Sequence, residues 1–373
     1  MNSNEKVYDC MIIGGGLAGL SLSILLSKKG LTVLLLEKKS YPYHKVCGEY
    51  VSMESKEFLM SLGIPIDEMN VPLINTLQLS AVSGKRLEQT LDMGGFGISR
   101  YLLDHSLASI AKESGVTLLE NVTVHKYERE GDLFTVFATT GVYKGKVLSA
   151  SFGKLSLGNF YRSLVKHQNW VGVKYHVKYT GAANMISLHN FNGGYCGMSM
   201  IENNTWCLCY LVKASQLKRY SNQVSVLEKE ELCKNPYLKE IFENAEFLFD
   251  KPVTISNVTF SVKKPVDNNV FYLGDAAGTI APLSGNGMSN AMRAANLLSI
   301  YIVDFFEGKY SLTQTAKAYE REWKKTFSKR ISVGRWIQYL FCKSTMTTFF
   351  IGLVKALKPL RLMIIKQTHG EKF

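Results

Sequence analysis

The chain has 373 residues, of which 46% are hydrophobic and 20% are charged. This is the composition of an ordinary globular protein, and it excludes a chain too polar to form a core. The length indicates two domains, or one domain with a large insertion. No stretch approaches the roughly 18 consecutive apolar residues of a membrane-spanning helix.

The net charge of +13 is concentrated near the end of the chain. From Lys324 onward eleven residues are basic and only Glu371 is acidic, so this tail carries +10 and the rest only +3. Such asymmetry makes the tail a candidate for contact with an anionic surface. We expect no nucleic-acid binding, because the tail contains no evident module of interleaved aromatic and basic residues.

The seven cysteines form no C-x-x-C pair, and their number is odd. No signal peptide is expected before the first predicted strand, which begins almost at the amino terminus. Reduced thiols are the simplest explanation, and we therefore expect a cytoplasmic protein. The histidines have no metal-type spacing, so no metal site is predicted.

A glycine-rich turn near the amino terminus joins a predicted strand to a predicted helix. Residues 10–13 form a short apolar run typical of a buried strand, and the helix is predicted over residues 17–29. Between them, Gly14, Gly16 and Gly19 follow the G-x-G-x-x-G pattern. The first glycine permits a tight turn, the second lets backbone approach a diphosphate, and the third lets helix and strand pack closely. The unpaired N–H groups at the helix start favour an anion.

A second buried strand, predicted over residues 31–36, ends at Glu37. A carboxylate at this position can accept hydrogen bonds from both ribose hydroxyls of an adenosine. Strand, turn, helix, strand and acid occur at the spacing of a dinucleotide-binding site. Glu37 does not distinguish FAD from NAD, but it disfavours NADP because a 2′-phosphate beside it would be repelled.

Helices and a hairpin are predicted in the next part of the chain. The helices cover residues 53–62 and 102–113. Residues 77–82 and 87–91 are predicted to form the two strands of the hairpin, and the glycines within 94–97 are expected to break the chain.

From Trp170 the residues alternate between the two faces of a predicted strand. One face carries Val171, Val173, Tyr175, Val177 and Tyr179, and the other carries Gly172, Lys174, His176 and Lys178. Further strands at 186–191 and 206–212, with helices at 224–232 and 237–242, complete a largely antiparallel second domain.

A second glycine-rich segment follows the last predicted strand. Asp275 comes at the carboxyl end of this strand, where it can hydrogen-bond a ribityl chain. Gly285, Asn286 and Gly287 precede a helix predicted over residues 290–306, so their N–H groups can stabilise negative charge. A reduced flavin anion carries its charge at N1 and O2, which suits such a helix start.

Taken in order, these motifs resemble the geranylgeranyl reductase family, within the group of FAD enzymes that includes p-hydroxybenzoate hydroxylase and the flavin halogenases. The resemblance rests on the glycine motif with Glu37, on Lys45-Val46-Cys47-Gly48-Glu49, on Arg100 before Tyr101-Leu102-Leu103-Asp104, and on Gly274-Asp275-Ala276-Ala277-Gly278. It extends from Tyr8 to about Ser299 and implies FAD as the cofactor. The FAD-binding residues expected from the motifs and the resemblance together are Gly14, Gly16, Leu17, Ala18, Gly19, Glu37, Lys38, Lys45, Arg100, Asp275, Gly285, Asn286, Gly287 and Met288.

The predicted fold is α/β, with three parts. Residues 1–75, 95–168 and 263–310 are expected to form a discontinuous, Rossmann-like FAD-binding domain. Residues 76–94 and 169–262 are expected to form an inserted, mainly antiparallel β-sheet substrate domain. Residues 311–373 are expected to form a helical, basic C-terminal segment.

Three departures from the patterns of related families limit what the resemblance implies. An Asp-Gly pair is usual near residue 150, but this chain has Ala150-Ser151-Phe152-Gly153-Lys154, which weakens inference about NAD(P)H. The aromatic Y-x-W-x-F-P motif of the reductases corresponds to Tyr195-Cys196-Gly197-Met198-Ser199-Met200, which leaves the prenyl substrate open. The W-x-W-x-I-P signature of flavin halogenases is absent, so halogenation is not predicted.

We predict an enzyme that passes hydride from reduced FAD to a carbon–carbon double bond of an apolar small molecule. That substrate class covers isoprenoid-, lipid- and polyketide-like molecules, and NAD(P)H or another reductant is the expected electron donor. The resemblance implies that the Cys47 loop lies near the isoalloxazine and the substrate. Cys47 is a candidate proton donor or, equally, a packing residue. Glu49 is a candidate catalytic residue or a hydrogen-bond acceptor for the same loop.

Two other functions stay open at this point: an FAD-dependent monooxygenase of an aromatic or polyketide substrate, and a dinucleotide-binding module without turnover. The tail also has two interpretations. It contacts an anionic membrane surface as a peripheral segment, or its helices pack on the FAD domain with a solvated basic face. The oligomeric state is not predicted.

Overall fold

A computed structural model describes residues 6–153, 169–258, 260, 263–278, 285–357, 359 and 371–373. Several predicted features lie outside these residues: Lys154 in the stretch after residue 150, residues 279–284 of the second glycine-rich segment, and most of the chain beyond residue 357. The helices of the described residues are α1 (Leu17–Ser27), α2 (Lys56–Leu62), α3 (Arg100–Glu113), α4 (Ala214–Arg219), α5 (Val224–Glu230), α6 (Pro236–Asn244), α7 (Gly287–Phe306), α8 (Leu312–Phe341) and α9 (Ser344–Ala356).

The strands of the described residues form two sheets. They are β1 (Val7–Ile13), β2 (Val33–Leu36), β3 (Tyr50–Ser52), β4 (Leu73–Ser80), β5 (Arg86–Gly97), β6 (Thr117–Leu119), β7 (Val124–Glu130), β8 (Leu133–Ala138), β9 (Gly141–Ala150), β10 (Trp170–Lys178), β11 (Met185–Phe191), β12 (Gly194–Ile201), β13 (Thr205–Lys213), β14 (Glu246–Phe247), β15 (Val253–Val258), β16 (Val266–Asp267) and β17 (Val270–Tyr272).

The first sheet has the parallel core of a Rossmann-like fold. Its main path runs β16-β17-β9-β1-β2-β6, and β1 pairs in parallel with both β2 and β9. Helices α1, α3, α7 and α8 contribute buried apolar side chains to the core built on this sheet. Because parallel strands end at one edge, the turns after β1 and β17 come together there, as a nucleotide site requires.

The second sheet is mainly antiparallel, in the order β14-β10-β13-β12-β11-β4-β5-β3, with β15 paired to β10. The pairing of β11 with β4 is parallel. Strand β10 alternates as predicted: Val173, Tyr175 and Val177 lie in the apolar core under α4 to α6, whereas Lys174 and His176 lie on the opposite face. The predicted α/β class, with its Rossmann-like sheet, is therefore confirmed.

The prediction of a chain break at residues 94–97 is wrong, because β5 continues through these residues to Gly97. The glycines serve close strand packing instead. A Cβ added at Gly95 would lie 2.3 Å from the carbonyl oxygen of Val51, and one at Gly97 would lie 1.8 Å from that of Met200. A side chain at either position would thus collide with the backbone of a neighbouring strand.

The C-terminal segment is helical where it is described. Helix α8 begins with a capping box at Ser311, and its first half packs in the core of the first sheet. The end of α8 and the inner face of α9, with Phe350, Ile351 and Val354, pack instead on the second sheet. Among the described residues, no single helix has the length and apolarity to cross a membrane; α8 and α9 meet those criteria only as a pair bent by 117°.

Candidate functional site

The first glycine turn leaves open space beside the start of α1. At Gly14, where φ is +103°, an added Cβ would lie 2.7 Å from the carbonyl oxygen of Ser151. At Gly19 it would lie 2.1 Å from the carbonyl oxygen of Gly14, so helix and strand are in direct contact. At Gly16 it would meet only the Arg100 guanidinium, 4.0 Å away. Helix α1 has no capping side chain and no acid in its first turn, so its N–H groups are available to an anion.

Glu37 is buried beside this turn. Its Oε2 accepts a hydrogen bond from the N–H of Gly15 at 2.6 Å, and its Oε1 accepts one from the Tyr43 hydroxyl at 3.2 Å. The Tyr41 hydroxyl donates to the carbonyl of Gly15, so two tyrosines that sequence reasoning did not select support the turn. Lys38, by contrast, is exposed to solvent.

Arg100 and Lys45 converge on the buried carboxylate of Asp104. Arg100 Nε lies 2.7 Å from Asp104 Oδ1, and Lys45 Nζ lies 2.7 Å from Asp104 Oδ2. Burial raises the pKa of Asp104, but the two cations outweigh burial and hold that pKa below its ordinary value. Lys45 thus lies beside Gly15 and Arg100 beside Gly16, where the two cationic groups would bind a diphosphate.

The second glycine turn provides another helix start at the same edge of the sheet. Helix α7 begins at Gly287, and its N-cap residue Asn286 makes no capping hydrogen bond. Both polar atoms of the Asn286 side chain are buried without a partner among the described residues. Such orphaned groups are costly unless a ligand or water satisfies them. An anionic dinucleotide such as FAD fits this arrangement. It would be bound by the two uncapped helix starts, by Arg100 and Lys45, and by the Asn286 amide.

A cavity of about 260 Å³ connects these elements with the second sheet. Its first wall, here called the cofactor wall, comes from the FAD-type turns: Gly16, Leu17, Ala18, Arg100, Asp275, Gly285, Gly287 and Met288. The opposite wall, here called the sheet wall, comes from β11, β12 and β13: Ile186, Leu188, Tyr195, Gly197, Met198, Ser199, Cys209 and Leu211. No residue of the sheet wall is charged, so this half of the cavity suits an apolar molecule.

Cys47, Gly48 and Glu49 line the cavity between the two walls. Glu49 has a φ of +55°, a left-handed conformation that is strained for a side chain of its size. Its own backbone and side chain hold it there: the N–H of Ile98 donates to its carbonyl, and the N–H of Arg100 donates to its Oε1 at 2.7 Å. Glu49 therefore positions the loop that presents Cys47 to the cavity.

The Glu49 carboxylate also belongs to a buried ion cluster, defined by Glu49, Lys174 and His176. Lys174 Nζ donates to Oε1 at 2.5 Å, and His176 Nε2 lies 2.7 Å from Oε2. Burial alone raises the pKa of Glu49, but the hydrogen bond with His176 and the charge of Lys174 outweigh it and lower that pKa. Burial lowers the pKa of Lys174, yet its pKa stays above the ordinary value because Glu49 is so close.

A metal ion is a poor fit to this cluster. Among the described residues, one atom each of Glu49, His176 and Cys207 lie within 4.8 Å of one another. However, Lys174 already places a positive charge on Glu49. Cys207 donates to the carbonyl of Cys47 at 3.2 Å, as a neutral thiol does, and burial raises the pKa of Cys207 well above its ordinary value. We therefore interpret the group as an ion cluster that orders the loop.

The structure brings most of the selected residues to one place. Gly16, Arg100, Asp275 and the start of α7 line the cavity, and Cys47 lies between its two walls. Sequence reasoning missed Lys174 and His176, although the alternation of β10 correctly placed both on one face. Their pairing with Glu49 joins residues 125 and 127 positions apart, which no local pattern reveals.

Comparison with known proteins agrees with this geometry. Residues 7–144 match the domain family described as FAD binding domain. The chain is 25% identical to the digeranylgeranylglycerophospholipid reductase of Methanococcus vannielii, over 87% of this chain and 84% of that protein. It is 24% identical to conditioned medium factor receptor 1 of Dictyostelium discoideum, over 89% of this chain and 70% of that protein. The solved structure of the flavin-dependent brominase Bmp2 covers 97% of this chain and 93% of its own, at 19% identity and a TM-score of 0.79.

These findings confirm the predicted cofactor and the predicted superfamily. The matched FAD-binding domain contains the first glycine turn, Glu37 and Arg100. The relatives include a reductase and a halogenase, which belong to one superfamily of flavin enzymes. The chain therefore contains an FAD-binding domain and is an FAD-dependent enzyme with FAD as its cofactor, similar to members of the p-hydroxybenzoate hydroxylase-like oxidoreductase superfamily.

Proposed function

We propose that this enzyme reduces a carbon–carbon double bond of an apolar small molecule, of isoprenoid, lipid or polyketide type. The observation that carries the proposal is the single cavity in which an uncharged sheet wall faces the cofactor wall. An apolar substrate on the sheet wall would lie directly across from bound FAD. The relationship to a digeranylgeranylglycerophospholipid reductase supports the same substrate class.

When bound and reduced, FAD supplies a hydride, and NAD(P)H or another reductant would restore it. The residues of this chain hold the cofactor and the substrate. Arg100 and Lys45 offset the charge of the diphosphate, and the N–H groups at the start of α7 favour negative charge on the reduced ring. Leu188, Tyr195 and Leu211 would exclude water from the alkene.

Cys47 is the residue we propose as proton donor. Reduction of an alkene adds one hydride to one carbon and one proton to its neighbour. The Cys47 side chain lies between the two walls, and the N–H of Glu49 donates to its sulfur at 3.5 Å. The thiol would give its proton to the second carbon and regain one from solvent, which balances charge and atoms.

The test is to reduce the FAD-loaded protein without oxygen and to add a polyprenyl alkene. We expect the flavin absorbance to return at a rate that depends on the alkene, and mass spectrometry to show a product heavier by two hydrogens. Cys47→Ser should slow this step by about 10²–10⁴-fold with FAD affinity unchanged. The matched control is Cys233→Ser, because Cys233 lies outside the cavity.

The same experiment separates the oxygen-dependent alternatives. A product that forms only after oxygen is admitted and gains an oxygen atom would show a monooxygenase and overturn the reductase. Bromide belongs in the oxygen-containing sample, because a flavin-dependent brominase shares the fold. A brominated product would overturn the reductase as well. Bound FAD that no substrate or oxidant turns over would instead indicate a binding module.

A further inference from the structure

The outer face of α9 is apolar and exposed. Met346, Phe349, Leu353 and Leu357 follow one another at helical spacing, with exposed fractions of 37%, 72%, 37% and 48%. The inner face of the same helix, with Phe350, Ile351 and Val354, is buried. One side of α9 is thus covered by the protein, and the other side exposes apolar residues. An exposed apolar helix face of this kind favours contact with a second apolar environment.

The last turns of α8 continue this surface. Trp336 and Tyr339 are 56% and 54% exposed, on the side of α8 that leads to Lys343. Both are aromatic residues with a polar atom, the type that favours the boundary between lipid and water. We call Trp336, Tyr339, Met346, Phe349, Leu353 and Leu357 the apolar corner.

The charge around the apolar corner is entirely positive in sequence. Residues 323–357 include seven basic residues and no acidic residue. Of these, Lys343, which directly precedes α9, and Lys355, in its last turn, are exposed. A protein partner with an apolar groove would cover the exposed apolar side chains but would leave the basic residues without a counter-charge. An anionic bilayer provides both an apolar interior and negative headgroups.

The helices that carry the apolar corner pack on the cavity face of the second sheet, next to the sheet wall. Phe341, at the end of α8, contacts the ring of Tyr195 with centroids 6.3 Å apart, and Tyr195 lines the cavity. Leu188, another lining residue, packs in the same cluster as Ile351 and Val354 of α9. One layer of helix thus separates the exposed surface from the apolar half of the cavity.

From these observations we propose that the apolar corner binds the surface of a bilayer that contains anionic lipids, with α9 lying in the interface. Phe349, Leu353 and Leu357 would enter the acyl boundary, while Lys343 and Lys355 would contact the headgroups. This binding does not depend on the reaction, so it stands or fails separately from the proposed reductase.

The test is flotation of the FAD-loaded protein with phosphatidylglycerol vesicles and with phosphatidylcholine vesicles. We expect flotation with the anionic vesicles, weaker flotation with the neutral ones, and loss of the difference at high salt. Phe349→Ser/Leu353→Ser should lower the partition coefficient by at least about tenfold. Val142→Ser/Ile300→Ser is the matched control, because Val142 and Ile300 are similarly exposed apolar residues outside the corner.

The charged part of the proposal has its own variants. Lys343→Gln and Lys355→Gln should each weaken binding to phosphatidylglycerol vesicles by about fivefold. Lys229→Gln, an exposed lysine on α5, should leave binding unchanged. Bound flavin absorbance confirms that each variant remains folded.

Two results would overturn the proposal. The first is a wild-type protein that stays with the unbound fraction when phosphatidylglycerol vesicles are present at low salt. The second is a dimer in solution that Phe349→Ser/Leu353→Ser converts to monomer, because the apolar corner would then be occupied by a second copy of the chain.

Discussion

The second sheet presents one face towards the cavity, and the two ends of that face differ in chemistry. At one end Lys174 and His176 bind Glu49, which we call the ion end. At the other end Leu188 and Tyr195 pack under α8 and α9, which we call the apolar end. Both ends are buried, but they are held by different forces.

This difference matters for function. The buried charges at the ion end require partners at short distances and in defined directions. They therefore hold the strained loop at Glu49 in one conformation. Contacts at the apolar end are non-directional. Helix α9 can therefore stay packed on the sheet through its inner face while its outer face contacts another apolar environment. The ion end therefore suits the ordering of Cys47, and the apolar end suits the substrate.

The largest expected effect is at the ion end. Lys174→Met leaves Glu49 buried without its ammonium partner, and we expect a loss of about 3–5 kcal/mol in the free energy of unfolding. Urea denaturation of the FAD-saturated protein measures it. FAD affinity should fall too, because the N–H of Arg100 shares the same carboxylate.

The control for this variant is Lys178→Met, an exposed position on the same strand, which should change little. The double variant Lys174→Met/Glu49→Gln should be more stable than Lys174→Met alone, since no unpaired charge remains buried. Equal stability of the single and double variants would show that Lys174 does not compensate a buried charge on Glu49.

A smaller effect is expected at the apolar end. Val354→Ala removes two methyl groups from a side chain that is 4% exposed, and we expect a loss of about 2 kcal/mol. FAD affinity and the flavin spectrum should stay as in the wild type, because α9 contacts the sheet wall and not the cofactor wall. A shifted spectrum would mean that the two ends are coupled.

The pH dependence isolates the ion end. Because the folded-state pKa of Glu49 is lowered, its contribution is present above the unfolded-state pKa of about 4.3 and is lost as pH falls through the folded value. The difference in unfolding free energy between wild type and Glu49→Gln should therefore shrink below about pH 4.3, by at most about 1.4 kcal/mol per pH unit. A difference that stays constant with pH would mean that the pKa of Glu49 is the same in the folded and the unfolded protein.

The smallest effect is expected on the outer face of α9. Leu353→Ser should lower the free energy of unfolding by only about 1 kcal/mol, because the side chain is 37% exposed and packs less than that of Val354. Val354→Ala, one residue away on the inner face, is its natural comparison. A large loss in Leu353→Ser would show that the outer face is covered within the protein itself.

The sequence by itself determined the features that depend on neighbouring residues. The glycine turn, Glu37 and the alternation of β10 are local patterns, since the steric needs of a turn and the period of a strand are set over a few residues. The same holds for the basic tail, which is a matter of composition. These features were sufficient to predict the Rossmann-like sheet and FAD.

Only the tertiary structure decided which distant residues meet. Glu49 pairs with Lys174 because β10 places that lysine on the cavity face of the second sheet. The alternation of residues in β10 predicts which side chains share that face, but it does not predict which residue from elsewhere in the chain contacts them. The glycines at 94–97 continue β5, because the backbones of β3 and β12 approach too closely for side chains. The position of α9 behind Tyr195 likewise follows from non-directional apolar packing, which leaves no signature in the order of residues.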